Sequence, residues 1–153
     1  MTLTTWIARA IATWFGCGYW PWGPGTLGAA AAILIAMLTP VPPYWWAAVG
    51  LLTLPISIWA STVEAKTSGR KDPGHVVVDE VAGQWITLAA VPSYGAVPVL
   101  LAFALFRLFD ITKPAGIRQL ERLPAGTGIM ADDVLAGIYG AVVIAGIRWL
   151  NWI

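Results

Sequence analysis

The sequence predicts an all-α, polytopic membrane helical bundle with an N-terminal interfacial helix and short or broken spans. Of the 153 residues, 58% are hydrophobic and 11% charged, with a mean hydropathy of +0.72, an apolar excess that no soluble core of this size needs. Charge is confined to the middle of the chain. All eight acidic residues lie between Glu64 and Asp133, and seven of the nine Lys and Arg lie between Lys66 and Arg122, leaving only Arg9 before and Arg148 after. Apolar runs approaching the roughly 20 residues that a span requires alternate with Pro and Gly breaks, and residues 1–153 read as one membrane-embedded domain.

Each element follows from a local pattern. Trp6, Ile7, Ile11, Trp14 and Phe15 recur at helical spacing with Arg9 and Thr13 toward the other side, which predicts a helix over 1–15 lying among lipid headgroups. Arg9 sits within the apolar run and no small-residue cleavage site follows, which argues against a cleaved secretory signal. The Gly and Pro cluster from Gly16 to Gly25 ends that helix, and Thr26 is expected to cap the next, over 26–39. Pro40, Pro42 and Pro43 then turn the chain into a run over 44–63, long enough to span, with Pro55 expected to kink it.

The stretch from Asp79 to Phe109 reads either as one span or as a hairpin. Pro92, Ser93, Tyr94 and Gly95 form a turn signal, and a lipid-exposed break in mid-membrane would strand backbone polar groups, so a hairpin of helices 79–91 and 95–111 is predicted. Each arm is about 20 Å long at 1.5 Å per residue, short of the ~30 Å hydrocarbon layer. A polar segment, 112–131, precedes a final helix over 132–152. This order brings the loops at 16–25, 64–78 and 112–131 and the end of the hairpin at Asp110 to one face. Most of the basic residues fall there, which makes it the cytoplasmic face. The ten tryptophans read as interfacial anchors.

Composition also excludes. A net charge of +1 gives no cationic footprint for nucleic acid. The lone Cys17 forms neither an intramolecular disulfide nor a zinc motif.

The chemistry lies in five carboxylates that the topology gathers: Asp79 and Glu80, Asp110, and Asp132 with Asp133. Anions placed together need compensation, and a hard divalent cation such as Mg2+ takes oxygen ligands of this kind. Helix capping explains Asp79, Glu80, Asp132 and Asp133 about equally well, but fits Asp110 poorly because that residue lies at a C-terminal end. Arg107, Asp110 and Lys113 are spaced by three along a helix that must end near Pro114. They form either an internal ion pair or a group in which Arg107 or Lys113 meets substrate phosphate. The turn Gly23, Pro24, Gly25, Thr26 offers amides and a hydroxyl to an anion, and Gly126 and Gly128 allow close backbone approach. His75 reads more readily as a solvated residue than as a general base.

Together these residues resemble the phosphatidylglycerophosphatase A family, bacterial membrane enzymes that make phosphatidylglycerol, over about residues 14–146. The resemblance rests on Pro21, Pro24, Gly25, Thr26 and Gly28; on Asp72, Pro73, Val78, Asp79, Glu80, Gly83, Trp85 and Ile86; on Phe106, Arg107, Asp110, Lys113, Pro114 and Ile117; and on Gly126, Gly128, Ile129, Met130, Asp132, Asp133, Ala136 and Gly137. Ala29 and Gly116 depart from the family's frequent serine and proline. The resemblance implies Mg2+-dependent hydrolysis of phosphatidylglycerophosphate at the cytoplasmic leaflet of the bacterial inner membrane. Asp79, Glu80, Asp110, Asp132 and Asp133 would hold the metal, with Asp79, Glu80, Asp133 and Lys113 catalytic and Arg107, Lys113, Gly25 and Thr26 binding substrate. Water attack and a phosphoaspartate route both remain open, as does a homo-oligomer. Histidine-dependent lipid phosphatases need two histidines where this chain has one, and the spaced aspartate motif of membrane phosphotransferases is absent. The remaining alternative is an ion or small-solute transporter with a carboxylate-lined metal site.

Overall fold

The computed structural model describes residues 2–153, which form helices and no strand. Seven α-helices follow in order: α1 (Leu3–Ala12), α2 (Pro24–Leu38), α3 (Trp46–Ser68), α4 (Val78–Leu88), α5 (Ala96–Thr112), α6 (Ile117–Leu120) and α7 (Ala125–Trp149). Single 3-10 turns at Cys17–Tyr19 and Pro43–Trp45 lead into α2 and α3.

The short helix α4 is the central pillar. Every residue from Val81 to Leu88 is buried, walled in by α2, α3, α5 and α7. Two of its polar side chains are met by protein, Trp85 Nε1 donating to the Ala32 carbonyl at 3.0 Å and Thr87 Oγ1 to the Gly137 carbonyl at 3.0 Å, while the fully buried Gln84 amide has no hydrogen-bond partner. Backbone touches backbone where α4 crosses α7, since a Cβ on Gly137 would lie 2.4 Å from the Gly83 carbonyl oxygen and one on Gly83 2.6 Å from that of Asp133. Glycine at both positions is what brings the N-terminal turn of α4 against the acidic stretch of α7.

The hairpin is present, with Pro92, Ser93 and Tyr94 in the bend between α4 and α5. Tyr94 pins it, donating to the Val41 carbonyl at 2.5 Å and accepting from Trp46 Nε1 at 2.7 Å. Arg148, near the end of α7, donates to the Ala90 carbonyl at 2.9 Å, so these contacts close the end of the bundle remote from the acidic residues.

Several boundaries differ from the sequence expectation, each for a physical reason. The first helix stops at Ala12 rather than 15, because Trp14, Phe15 and Gly16 take left-handed backbone. Pro24, whose ring suits the first helical position, starts α2 two residues before Thr26, so Gly23 and not Thr26 is the cap. Helix α3 runs past 63 to Ser68, where Gly69 in left-handed conformation ends it. The segment 112–131 is not all loop: α6 forms there because Ile117 packs against Phe106 and Ala136. Helix α7 starts at Ala125, not 132, which places Asp132 and Asp133 roughly 10 Å along its axis at 1.5 Å per residue. Capping an N-terminus is thereby excluded for that pair.

Two helical stretches are long and apolar enough to cross a membrane, Pro43–Ser68 and Ala125–Trp149. The arms α4 and α5, with 11 and 17 residues, are shorter than a full span, and Pro24–Leu38 is a shorter apolar helix.

Candidate active site

Asp79 and Glu80 stand in the first turn of α4, Asp110 near the end of α5, and Asp132 and Asp133 in the N-terminal half of α7. Oxygens of Asp79, Glu80 and Asp133 lie within 4.8 Å of one another. All five carboxylates line a single cavity of about 120 Å3, together with Lys113, Asp72, Gly25 and Gly74. Asp79 Oδ1, Glu80 Oε2, Asp132 Oδ1 and Asp133 Oδ2 are buried without a hydrogen-bond partner. Buried carboxylate oxygens carry a large desolvation cost unless a cation or donor meets them. Orphaned oxygens from two helices, α4 and α7, on one cavity that the Arg107-paired Asp110 of α5 also lines, fit a hard divalent cation.

Gly25 is part of this packing rather than only a flexible turn. A Cβ there would lie 1.9 Å from Glu80 Oε1 and 3.1 Å from an Arg107 nitrogen. Gly25→Ala is therefore expected to push Glu80 off its position and lower turnover at least about tenfold while helix content by circular dichroism is unchanged.

Lys113 follows α5 in a left-handed conformation, φ 44°, immediately before Pro114. This turn swings its ammonium back to Asp132 Oδ2 at 2.8 Å and Glu121 Oε1 at 2.5 Å. Burial by itself would lower its pKa, but the hydrogen bonds to Asp132 and Glu121 outweigh that and hold it above the ordinary lysine value. Lys113 is thus a fixed cation on the cavity wall throughout the neutral range, and its pairing stabilises the fold until pH rises through that raised value.

Other expected site residues stand elsewhere. Arg107 lies behind the wall: its guanidinium pairs with Asp110 and stands 3.8 Å from Glu80, so it holds two cavity carboxylates in place. Thr26 is exposed and does not line the cavity, unlike its neighbours Pro24 and Gly25. Gly126 and Gly128 are packing glycines, a Cβ falling 2.3 Å from the Ile58 carbonyl and 2.5 Å from that of Leu123. His75 is half-buried and off the cavity wall; its Nε2 meets Glu64 Oε1 at 2.8 Å and its ring stacks on Tyr19.

Glu64, expected in a polar loop, is the fully buried partner of His75 and of Arg9, whose Nε lies 3.1 Å from each carboxylate oxygen. The signal was present: the buried residues Ser57, Ala60, Ser61, Glu64 and Ala65 continue one stripe at helical spacing. Asp72 and Glu121 also belong to the surroundings of the site, Asp72 on the cavity wall and Glu121 as partner of Lys113.

Comparison with known proteins gives the family. The family model described as Phosphatidylglycerophosphatase A matches residues 10–148. Proteins named Phosphatidylglycerophosphatase A from Escherichia coli K12 and Haemophilus influenzae are 38% and 37% identical, over 88% and 91% of this chain and 79% and 87% of their own lengths. A Bacteroides thetaiotaomicron protein, provisionally named a phosphatidylinositol-3-phosphatase, is 45% identical over 92% of each chain. No solved structure is a significant match. With its acidic motifs on three helices turned into one cavity and the family match covering nearly the whole chain, this protein belongs to the phosphatidylglycerophosphatase A family and is a lipid phosphatase.

Proposed function

We propose that the protein hydrolyses the terminal phosphomonoester of phosphatidylglycerophosphate, yielding phosphatidylglycerol and phosphate, with Mg2+ as cofactor, as a multi-pass protein of the bacterial inner membrane whose cavity faces the cytoplasm. The observation that carries this reading is the convergence of orphaned carboxylate oxygens and one fixed ammonium on a single cavity. The names of the Escherichia and Haemophilus relatives supply the substrate, and the Bacteroides name points to a related one. Both headgroups carry a terminal monoester separated from a phosphodiester by a polyol. Family membership decides against the transporter alternative.

Asp79, Glu80 and Asp133, with Asp110 and Asp132 beside them, are the residues that would hold the metal. A bound Mg2+ supplies Lewis acidity toward phosphoryl oxygens and lowers the pKa of water. Lys113 offsets charge on the phosphoryl oxygens as the bond from phosphorus to the glycerol oxygen breaks. A carboxylate free of the metal takes the proton of an attacking water and returns it to the departing glycerol oxygen; in the covalent route an aspartate oxygen attacks phosphorus, the glycerol oxygen leaves with a proton from water, and a second water hydrolyses the acyl phosphate to free the aspartate and phosphate. Arg107, tied to Asp110 and close to Glu80, keeps those carboxylates oriented.

The test is phosphate release from phosphatidylglycerophosphate in uncharged detergent micelles. Release is expected with Mg2+, to vanish with chelator and to return on re-addition of the ion. Full release in chelator rejects the metal, and no release under any condition rejects the substrate. Phosphatidylinositol 3-phosphate in a parallel arm separates the two headgroups.

A further inference from the structure

A second cavity, of about 190 Å3, adjoins the carboxylate cavity and shares Asp72, Ile129 and Asp132 with it. Lys71 is the cationic residue on its wall, and the small residues Ala125 and Gly128 line it as well. The Lys71 ammonium is held by the Glu121 backbone carbonyl at 2.8 Å, a bond that positions it without neutralising it. Among the described residues, no carboxylate stands within ion-pairing distance of Lys71, whereas Lys113 is paired to both Asp132 and Glu121. Lys71, with no ion-pair partner among the described residues, therefore stands on a cavity that borders the catalytic one and is also lined by the acidic residues Asp72, Glu121 and Asp132.

The substrate of the proposed reaction carries two phosphates of different charge. The terminal monoester is dianionic and suits a cavity of carboxylates bridged by a divalent cation. The diester is monoanionic and lies one glycerol away, and among carboxylates it would be repelled unless it found a cation of its own. We propose that the Lys71 cavity binds this diester phosphate and that Lys71 is the residue selecting lipids whose reacting monoester is separated from the acyl glycerol by a second phosphate. The inference rests on the phosphatase reading above. A lipid such as phosphatidate, whose monoester is attached directly to the acyl glycerol, gains nothing from Lys71.

The experiment compares the unaltered protein with Lys71→Ala and Lys71→Arg in uncharged detergent micelles containing phosphatidylglycerophosphate, with phosphatidylglycerol or inorganic phosphate as competing inhibitor. Phosphatidylglycerol carries the diester without the monoester and reports on the proposed cavity; inorganic phosphate reports on the catalytic one. Lys71→Ala is expected to raise KM and the inhibition constant of phosphatidylglycerol about tenfold, the loss of one charge-assisted hydrogen bond. The kcat and the inhibition constant of phosphate should stay within about twofold, and Lys71→Arg should recover most of the loss. Unchanged KM and phosphatidylglycerol inhibition in Lys71→Ala would overturn the proposal, as would an equal weakening of phosphate inhibition, which would make Lys71 a general field effect. Absence of turnover in the unaltered protein overturns the phosphatase reading itself and is thereby distinct from failure of the Lys71 site.

Discussion

Asp79→Asn and Asp133→Asn are each expected to lower phosphate release about a thousandfold, because each removes one anionic oxygen donor from a site built of three closely placed carboxylates. The expected effect on stability has the opposite sign. Asn keeps the shape of Asp while removing one of several mutually repelling charges, so in chelator both variants should melt no lower than the unaltered protein. If the site holds Mg2+ as proposed, the ion would bind only the folded protein, so adding it should raise the Tm of the unaltered protein and leave both variants unmoved. A variant that melts low and loses activity would instead assign the carboxylate a structural role. A variant that keeps full activity would remove it from the metal site.

Gly137→Val is expected to cost more than about 3 kcal/mol and to lower the yield of folded protein, since its Cβ would fall 2.4 Å from the Gly83 carbonyl oxygen, an atom of buried backbone that has no room to move. The consequence reaches the site, because this crossing is what holds Asp79 and Glu80 beside Asp133. Gly146→Ala serves as the control: it lies in the same helix with nothing within 4 Å of an added Cβ, and should be neutral or stabilising by up to about 1 kcal/mol. Thermal unfolding of the two variants in the same detergent checks both values. Equal melting temperatures would show that α4 and α7 need not touch.

The route of water to phosphorus is also accessible to measurement. Borohydride trapping of an acyl phosphate at an aspartate is expected only if the phosphoaspartate route operates, whereas direct water attack leaves the chain unlabelled. The cavity supplies carboxylates for either route.

Much of this protein is legible in its sequence. Helices follow from apolar runs, their breaks from Pro and Gly, and the hairpin from Pro92, Ser93, Tyr94 and Gly95, all of which are local signals. The acidic motifs were legible as a set because carboxylates are few and the order of helices and breaks brings them to one face. Sequence alone therefore determined the helical class, the acidic constellation and the family.

Tertiary structure decided the depth and the neighbours. Where α7 begins depends on Gly126 fitting against α3, so only packing showed that Asp132 and Asp133 lie inside a helix rather than at its cap. Only the approach of α1 and the loop at His75 made Glu64 a buried ion-pair centre, and only the turn at Pro114 aimed Lys113 at Asp132. Gly25 and Arg107 changed meaning for the same reason: one is a notch for Glu80, the other a brace behind it. Periodicity along a chain reports which face of a helix is apolar, but the partner of a buried charge is set by which backbones come close enough to touch, and that depends on residues far apart in sequence.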